Sequence, residues 1–398
     1  MWLTSQEAQS ARDIARNLLK VQSHDVLAVN TALRKQFPQL SAEQINATLE
    51  QAQLELLAFE RYGIDASALL LTRDGLEQGT RPRVAQLRAQ LIKHAGAARV
   101  IDMSAGLGFD VRASLDAGLE VIAIERDSTT AAYLRNNAPQ AQVLEADSMD
   151  VIDELLGQLG NHDVVFVDPA RRSGRRTLDG SRAHPERDPE RWSPPWSFVT
   201  SLAERGVRVC AKVAPGFSPA LLPSGWSGFW TTVNRDPVEA MLCSWNINSP
   251  RTARMVDEHI YEFSGEGIES FATTAIGSYL HEPDPSVVNA GLLNDLCLQF
   301  PELHRIDLQS TWLTSIHDFA HPMVRTYLVD EVLPNDTKSL RKALIARNIG
   351  DVTIKCRGMN IKADVLRKEL KLTIGTAGTI VITTSNGVRQ TLLVHHHG

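Results

Sequence analysis

Between Val100 and Asp110 the chain reads VIDMSAGLGFD, a short apolar run that ends at an acid and leads into glycines. A phosphate-binding P-loop would need a lysine followed by Ser or Thr after its second glycine, and neither is present here. A dinucleotide-binding loop would need a third glycine where the chain has Val111, which weakens that interpretation without excluding it. The third possibility is an acid spaced as D-x-x-A-G-x-G. Gly106 and Gly108 then let the backbone pass close to a ligand that carries no phosphate.

The sequence on either side predicts the fold class. Five short β-branched runs alternate with helical segments: ARVIDM, LEVIAIE, AQVLEA, DVVFVDP and VRVCAKV. This alternation predicts βαβ crossovers and a doubly wound, Rossmann-like α/β domain with a parallel sheet covered on both faces. Further on, two strand-like runs flank NINSP in PVEAMLCSWNINSPRTARMV, and we expect them to pair as an antiparallel hairpin that closes the sheet.

An acid follows each of the first four strands, at a spacing of roughly twenty residues: Asp102, Glu125, Asp147 and Asp168. In open α/β sheets ligands bind at the carboxyl ends of the strands, so these acids are expected to share one site. A carboxylate at Glu125 can accept hydrogen bonds from both hydroxyls of a ribose, and Asp147 lies where an adenine amine is expected. The spacing therefore predicts a ligand of adenosine type.

The remaining segments predict further domains. Residues 1–95 are read as an all-helical module, with a capping box from Ser41 to Gln44 and a helix stop at Gly63. Its role is either to cover the edge of the next domain or to dock substrate. The core is placed at 96–262, a connecting subdomain at 263–330, and a small basic α/β domain at 331–398.

Charge is segregated along the 398 residues. The chain carries a net charge of −6, yet Asn335 to Leu372 contain ten Lys or Arg and four acids, a local +6 that leaves −12 for the rest. Such a basic segment is typical of binding to a phosphate backbone.

Apolar runs fall far short of a bilayer span and the N-terminus lacks a secretion signal, so we expect no membrane contact and a cytoplasmic location. Four scattered cysteines predict neither a metal site nor a disulfide framework.

The motifs IDMSAGLGFD, AIERD, VFVDPARR, KVAPGF, HEPDP and LRKALIARNIGDVTIKCRGMNI span most of the chain from about Thr72 onward. In these motifs the chain resembles a bacterial group of class I S-adenosylmethionine-dependent methyltransferases that carry a THUMP-like C-terminal domain. The resemblance implies S-adenosylmethionine as cofactor and, because THUMP domains in other enzymes bind RNA, an RNA substrate. The residues expected to hold the cofactor are Asp102, Ala105, Gly106, Gly108, Glu125, Arg126, Asp147, Ser148 and Asp168.

The segment DPARR after the fourth strand departs from the motif of amino-group methyltransferases, in which an Asp or Asn precedes two prolines and an aromatic residue. Here Ala170 and Arg171 replace the second proline and the aromatic residue, which puts an exocyclic amine acceptor in doubt. DPAR also resembles RNA 5-methyluridine methyltransferases, which need a cysteine nucleophile. Cys210 lies in the fifth strand without the Cys-Asn-Pro setting of those enzymes, and its ordinary interpretation is a buried packing residue.

We expect Asp168 to orient the acceptor and Arg171 to contact it, as the catalytic pair. Arg172, Trp196 and Lys212 are the predicted substrate-binding residues, although Lys212 is equally well explained as a sheet-edge lysine. The loop 171–196 carries a net +3 and two tryptophans, a composition suited to single-stranded nucleic acid.

The sequence thus predicts a methyltransferase that acts on RNA through this loop and the basic C-terminal domain. Three alternatives stay open: a non-catalytic nucleic-acid-binding protein, a methyltransferase for a small molecule or protein, and an oxidoreductase, which Val111 disfavours. The methylated base and atom, protein partners and oligomeric state are not predicted.

Overall fold

The computed structural model describes residues 2–21, 25–170, 186, 188–247, 249–356, 359 and 361–397. The chain divides into two units, Met1–Lys212 and Val213–Gly398. The first contains the helical module together with most of the predicted core. The sequence-based boundaries at 95, 262 and 330 stay predictions.

A parallel sheet lies at the centre of the first unit. Its strands are β1 (Arg99–Asp102), β2 (Glu120–Glu125), β3 (Gln142–Glu145), β4 (Asp163–Val167) and β5 (Val209–Val213), the last ending at the unit boundary. The order is β3-β2-β1-β4-β5, and every neighbouring pair is parallel. These strands are the five β-branched runs predicted from the sequence, so the α/β class is confirmed. β4 is buried along its whole length, as a central strand covered on both faces should be.

Nine helices of the first unit, in its described residues, surround this sheet or precede it. They are α1 (Gln6–Val21), α2 (Val26–Gln36), α3 (Ala42–Tyr62), α4 (Arg73–Gln78), α5 (Pro82–His94), α6 (Phe109–Asp116), α7 (Ser128–Asn137), α8 (Ser148–Leu156) and α9 (Trp196–Glu204). The predicted capping box is present, with Ser41 accepting from the Gln44 N–H at 3.2 Å. Gly63 ends α3 in the left-handed conformation, with φ 67°. The predicted start and stop of α3 are therefore confirmed.

The helical module is joined to the loop after β1 by buried hydrogen bonds of Asn137. Its side-chain oxygen accepts from the Leu70 N–H at 2.8 Å, and its amide donates to the carbonyls of Leu70 at 2.9 Å and Leu107 at 3.0 Å. Close packing accompanies these bonds, because a Cβ added at Gly79 would lie 2.8 Å from the Phe109 ring. The module therefore lies directly on the loop that the sequence singled out.

The second unit begins with a four-stranded group in the order β7-β6-β8-β9. The strands are β6 (Ser227–Val233), β7 (Asp236–Cys243), β8 (Arg251–Val256) and β9 (Ile260–Gly265). An antiparallel hairpin is present, as expected, but its strands are β6 and β7. The predicted pairing across NINSP is wrong, because β8 pairs in parallel with β6. The actual hairpin turn is Asn234-Arg235, both with positive φ, a two-residue turn whose twist suits adjacent antiparallel strands.

A second sheet follows, in the order β11-β12-β10-β13-β16-β15-β14. Its strands are β10 (Tyr279–Pro283), β11 (His304–Arg305), β12 (Leu313–Ser315), β13 (Val324–Leu333), β14 (Ile349–Lys355), β15 (Thr376–Ser385) and β16 (Val388–His396). Four helices belong to this region: α10 (Pro285–Asn289), α11 (Leu293–Gln299), α12 (Thr337–Ala346) and α13 (Ala363–Leu370). The helix, strand, helix, strand, turn, strand order predicted for the C-terminal end corresponds to α12 through β16.

One apolar core holds the C-terminal α/β module together. Leu340 and Leu344 of α12 and Leu366 and Leu370 of α13 pack on the same face of the sheet, against residues of β13, β14 and β15. The outward faces of both helices carry mostly polar and charged side chains, with Ile345 of α12 and Val365 of α13 also exposed. No strand is predicted at β13, because its sequence has no clear pattern.

The HEPDP motif is buried in the second unit. Glu282 accepts from the Lys355 ammonium at 2.8 Å, and Asp284 accepts from the Thr232 hydroxyl at 2.7 Å while capping α10. His281 lies between hydroxyl groups of β12 and β13, and burial lowers its pKa to about 4. The motif thus connects the β6–β7 hairpin with the C-terminal module through polar contacts.

Among the described residues, no helix has the length and apolar character to cross a bilayer.

Replacing Asn137 with Ala should destabilise the protein by about 3 kcal/mol, because two carbonyls and one N–H would lose their buried partner. Urea unfolding of both proteins measures the difference. Asn136→Ala is the matched control. Its amide donates to the Ala68 carbonyl at an exposed site and to Asn137 Oδ1, which keeps its buried bond from the Leu70 N–H in this variant, so a loss below about 1 kcal/mol is expected. Equal losses in the two variants would contradict the role assigned to Asn137.

Candidate functional site

The loop after β1 is shaped by two glycines in the left-handed region. Gly106 has φ 53° and Gly108 has φ 88°, values that L side chains rarely adopt. A Cβ at Gly108 would also lie 2.6 Å from Leu134, whereas a Cβ at Gly106 would meet no atom within 4 Å. Ala105, between them and β1, donates its N–H to the Ile124 carbonyl at 3.1 Å. The backbone of the loop is therefore closely packed at Gly108, whereas the space next to Gly106 is open.

Glu125 joins the loops after β1 and β2. Its Oε2 accepts from the Gly106 N–H at 3.1 Å, and its Oε1 accepts from the Asp127 N–H at 2.8 Å. Each carboxylate oxygen has a further lone pair. The half-buried side chain can therefore keep both backbone contacts and still accept from ligand hydroxyls.

The residues after β3 form the more exposed edge of the site. Asp147 caps α8 by accepting from the Met149 N–H at 3.0 Å, and Ser148 is the first residue of that helix. Arg126 approaches Asp147 at 3.8 Å, but its side chain is 73% exposed. An exposed ion pair of this kind contributes little to stability, so both side chains are free to reorient toward a ligand.

Asp102 is the most buried acid of the group. Burial, together with the neighbouring charges of Asp110 and Asp168, raises the pKa of Asp102 to about 8, although a hydrogen bond from the Ser104 N–H at 2.9 Å acts in the opposite direction. An isolated carboxylate is costly in such a place. A cation bound beside it would favour ionisation, which makes Asp102 suited to receive an ammonium group.

Sequence reasoning missed a second layer of polar residues under the loop. Asp110, in the first turn of α6, accepts from the Thr80 hydroxyl at 2.6 Å and from the Arg88 guanidinium. That guanidinium lies 4.9 Å from the centre of the Phe166 ring. Asp110 follows GLGF directly in the sequence, but no sequence pattern links it to Arg88 of α5.

Asp168 and Lys212 form a close ion pair at the ends of β4 and β5. Lys212 Nζ lies 2.5 Å from Asp168 Oδ2, and the side chains are 14% and 35% exposed. The Asp168 N–H donates to Ser104 Oγ at 3.0 Å, which attaches this end of β4 to the loop after β1. The structure thus brings together Asp168 and Lys212, two residues predicted separately for acceptor orientation and substrate binding.

The loop after Asp168 is closed at its base. Ala170 and Ser193 exchange two backbone hydrogen bonds, at 2.8 and 3.1 Å, as an isolated antiparallel bridge. The predicted contacts of Arg171 and Arg172 lie outside the described residues. Trp196 is 8% exposed and Trp192 is 5% exposed, so the predicted base-stacking role of Trp196 remains a prediction that its burial does not support.

Cys210 lies in the middle of β5, opposite Phe166, and its side chain is fully buried. This position agrees with the ordinary interpretation of a packing residue. A thiolate nucleophile needs an accessible sulfur atom, which this position does not provide.

The charges of the site match a cationic ligand. Four carboxylates, of Asp102, Glu125, Asp147 and Asp168, end adjacent parallel strands, and the ammonium of Lys212 is paired with one of them. A pyrophosphate would be repelled by this arrangement, whereas a ligand with ammonium and sulfonium groups would be attracted. The open space above Gly106 provides room for such a ligand next to the backbone.

Two comparisons of sequence show what this chain is similar to. A family model described as THUMP domain-like matches residues 324–396, beginning at the first residue of β13. An uncharacterized S-adenosylmethionine-dependent methyltransferase of Mycobacterium tuberculosis is 28% identical over 335 residues, which are 80% of this chain and 86% of the relative. The same values are found for that protein in a second strain of the organism.

A comparison of structures shows the same fold in a solved protein. The crystal structure of a Porphyromonas gingivalis W83 protein assigned as a methyltransferase superposes with a TM-score of 0.70, covering 89% of this chain and 91% of the other at 20% identity. These findings confirm the resemblance and the fold class predicted from the sequence: a class I methyltransferase fold with a THUMP-like C-terminal domain. The predicted enzyme class and cofactor are those of the mycobacterial relative.

Asp102→Asn should stabilise the protein in the absence of cofactor. The folded pKa of about 8 lies above the ordinary value of 3.8, so the folded protein holds a proton that the unfolded chain has lost, and stability falls as pH rises between them. Removing the ionisable group should therefore give a gain of at least about 1 kcal/mol at pH 8 and almost none at pH 4. Urea unfolding across this range measures it, with exposed Asp116→Asn as control.

The same variant should lose binding of S-adenosylhomocysteine, the demethylated form of the cofactor, because it lacks the carboxylate that we expect to receive the ammonium group of this ligand. Isothermal titration measures this loss. A variant that is more stable and still binds with unchanged affinity would contradict the ammonium-binding role of Asp102.

Proposed function

We propose that this protein is an S-adenosylmethionine-dependent methyltransferase whose substrate is RNA. The observation that carries the proposal is the row of acids at the carboxyl ends of β1 to β4, beside an open glycine loop, in a chain that also has a THUMP-like domain. When bound, S-adenosylmethionine would supply a methyl group activated by its sulfonium charge. No residue needs to form a covalent bond with the acceptor.

The cofactor roles follow from the positions of the side chains. Asp102 would receive the ammonium group of the methionine end, since it is the buried acid next to the loop. Glu125 would accept from the ribose hydroxyls while its contacts with Gly106 and Asp127 fix its orientation. Asp147 would accept from the adenine amine at the exposed edge. Arg126 and Ser148 would flank the adenosine as part of the same edge.

The acceptor would lie beside Asp168. Transfer of a methyl group in line from sulfur to a nucleophile depends mainly on holding the two reactants close and aligned. Asp168 is held by Ser104 on its backbone and by Lys212 on its carboxylate, so its orientation is fixed before the acceptor arrives. Arg171, as the next charged residue along the chain, would contact the acceptor or its phosphate.

RNA is favoured as the acceptor by the C-terminal module. It has exposed lysines on and around α12 and α13, the two adjacent helices that cover one face of its sheet: Lys338, Lys342, Lys362, Lys368 and Lys371. Within the described residues, these five ammonium groups make no ion pair with an acid of the chain. Cations that are not neutralised internally are available to phosphates.

Methyl transfer to RNA is tested directly with labelled cofactor. The purified protein is incubated with methyl-labelled S-adenosylmethionine and an extract of cells that lack it, and the product is treated with nuclease or protease. Label lost to ribonuclease is expected, and Asp102→Ala should give none. Label lost only to protease, or present in neither polymer, would overturn RNA as the substrate.

Charge neutralisation by the lysines is tested by salt dependence. The triple variant Lys338→Gln, Lys342→Gln and Lys368→Gln should bind a mixed-sequence single-stranded RNA at least about tenfold more weakly at 0.1 M salt, with a slope of log affinity against log salt reduced by about two. Fluorescence anisotropy measures both. Lys20→Gln with Lys35→Gln, exposed lysines of α1 and α2, should change neither. Unchanged binding in the triple variant would remove the C-terminal module from the RNA contact.

A further inference from the structure

We propose that the acceptor is the lactam edge of a nucleobase, a ring N–H next to a carbonyl, held by the carboxylate of Asp168 and the ammonium of Lys212 together. The inference deepens the proposed function and rests on it, since it assumes methyl transfer to RNA. It names the chemical class of the acceptor, which guanine and uracil share.

The strand register brings the two side chains together. β4 and β5 are parallel neighbours with Val167 opposite Ala211, so Asp168, the residue after β4, lies beside Lys212, the penultimate residue of β5. Residues opposite each other in a sheet point to the same face. This register places Lys212 Nζ 2.5 Å from Asp168 Oδ2. Both side chains remain partly exposed. Its position at the carboxyl ends of the strands is where substrates meet cofactors in open α/β sheets.

The pair offers one acceptor and one donor next to each other. In an ion pair the carboxylate only accepts hydrogen bonds, whereas the ammonium only donates them. A base edge that presents an N–H next to an acceptor atom is the complementary partner. Guanine and uracil present a ring N–H next to a carbonyl, and adenine and cytosine present an amino group next to a ring nitrogen. Hydrogen bonding therefore selects a base edge that has an N–H next to an acceptor atom, which all four bases present. The charge of Lys212 distinguishes the lactam edges of guanine and uracil from the amino edges of adenine and cytosine.

Positive charge at Lys212 favours the lactam class. When a neutral amino group attacks a methyl group, positive charge develops on its nitrogen, and a cation beside it opposes the reaction. A lactam nitrogen becomes a good nucleophile only when its proton leaves, and the resulting negative charge spreads onto the carbonyl oxygen. An ammonium donating to that oxygen stabilises the charge as it forms. Ala170 and Arg171 fit this view, because they replace the proline and aromatic residue found beside amino-group acceptors.

The proposed step balances as follows. A bond forms between the ring nitrogen and the methyl carbon, and the bond from that carbon to sulfur breaks with its electron pair left on sulfur. The ring N–H proton passes to the Asp168 carboxylate and from there to water. Lys212 keeps its protons throughout and stays bound to the carbonyl oxygen, so no metal or redox partner is required.

The first test identifies the methylated nucleoside. Total RNA from cells lacking the protein is incubated with the full chain and methyl-labelled S-adenosylmethionine, then digested to nucleosides and analysed by chromatography with mass spectrometry. The expected product is guanosine methylated at N1 or uridine methylated at N3, and the two are separated by mass and retention. Label on an exocyclic amine, a ring carbon or a ribose would overturn the lactam assignment while leaving RNA methylation established. RNA without any label would overturn the proposed function itself, and this inference with it.

The second test uses pH to show that Lys212 acts on the acceptor and not only on the fold. Lys212→Met removes the charge at similar length and should lower the rate of transfer at least about 100-fold at pH 7. The affinity for S-adenosylhomocysteine should stay within about threefold of the original protein, because Lys212 is not a cofactor ligand. As pH rises from 7 to 9, ionisation of the lactam should restore activity about tenfold per unit in this variant.

Two further variants complete the second test. Lys212→Arg keeps the cation and should retain more activity at pH 7 than Lys212→Met, and Lys35→Met in α2 is the control for loss of a lysine elsewhere. An activity of Lys212→Met equal to that of the original protein at pH 7 would overturn the proposal. A low activity of that variant that does not rise with pH would overturn it as well, since a merely structural defect has no reason to be repaired by lactam ionisation.

Discussion

Parallel pairing of five strands is the constraint on which the site depends. Because β1, β2, β3, β4 and β5 run in the same direction, their carboxyl ends meet at one edge, and acids far apart in the sequence become neighbours. The edge would be electrostatically unfavourable if nothing compensated it. Backbone N–H groups provide part of the compensation at Glu125 and Asp147, and Lys212 provides the rest at Asp168. Asp102 is the most buried of the four acids, and burial, with smaller contributions from the charges of Asp110 and Asp168, raises its pKa.

Those parts of the site that depend on local pattern could be predicted from the sequence. The β-branched runs, the glycines with positive φ and the acid after each strand are properties of short segments, and the structure has all of them in place. Lys212 was recognised as a residue near the acceptor, but its contact with Asp168 depends on the register of β4 against β5. The contact of Arg88 with Asp110 likewise requires α5 to pack beside α6, and the sequence of neither helix predicts that packing.

The hairpin assignment failed for a similar reason. NINSP contains Asn, Ser and Pro and was therefore the stronger turn pattern, whereas the true turn, Asn234-Arg235, contains no glycine. The guanidinium of Arg235 in this turn donates to the Glu282 carbonyl at 3.0 Å, a tertiary contact with the HEPDP segment that local pattern does not indicate. The composition of that segment, with two prolines, predicts a break between elements. In the structure the segment also supplies the buried carboxylates of Glu282 and Asp284, which are hydrogen-bonded to Lys355 and Thr232. Because buried polar groups need specific hydrogen-bond partners, they favour this arrangement of strands over similar ones.

The backbone bridge between Ala170 and Ser193 separates two regions with different freedom to change. Both ends of the intervening segment are fixed at one point beside Asp168, and α9 starts only three residues beyond Ser193. Changes of length between Ala170 and Ser193 can therefore be accommodated without moving the strands or the acids that end them, provided that the buried Trp192 stays in place. The acids have no such latitude, because their positions follow from the sheet. Loop grafting between relatives could exploit the same division.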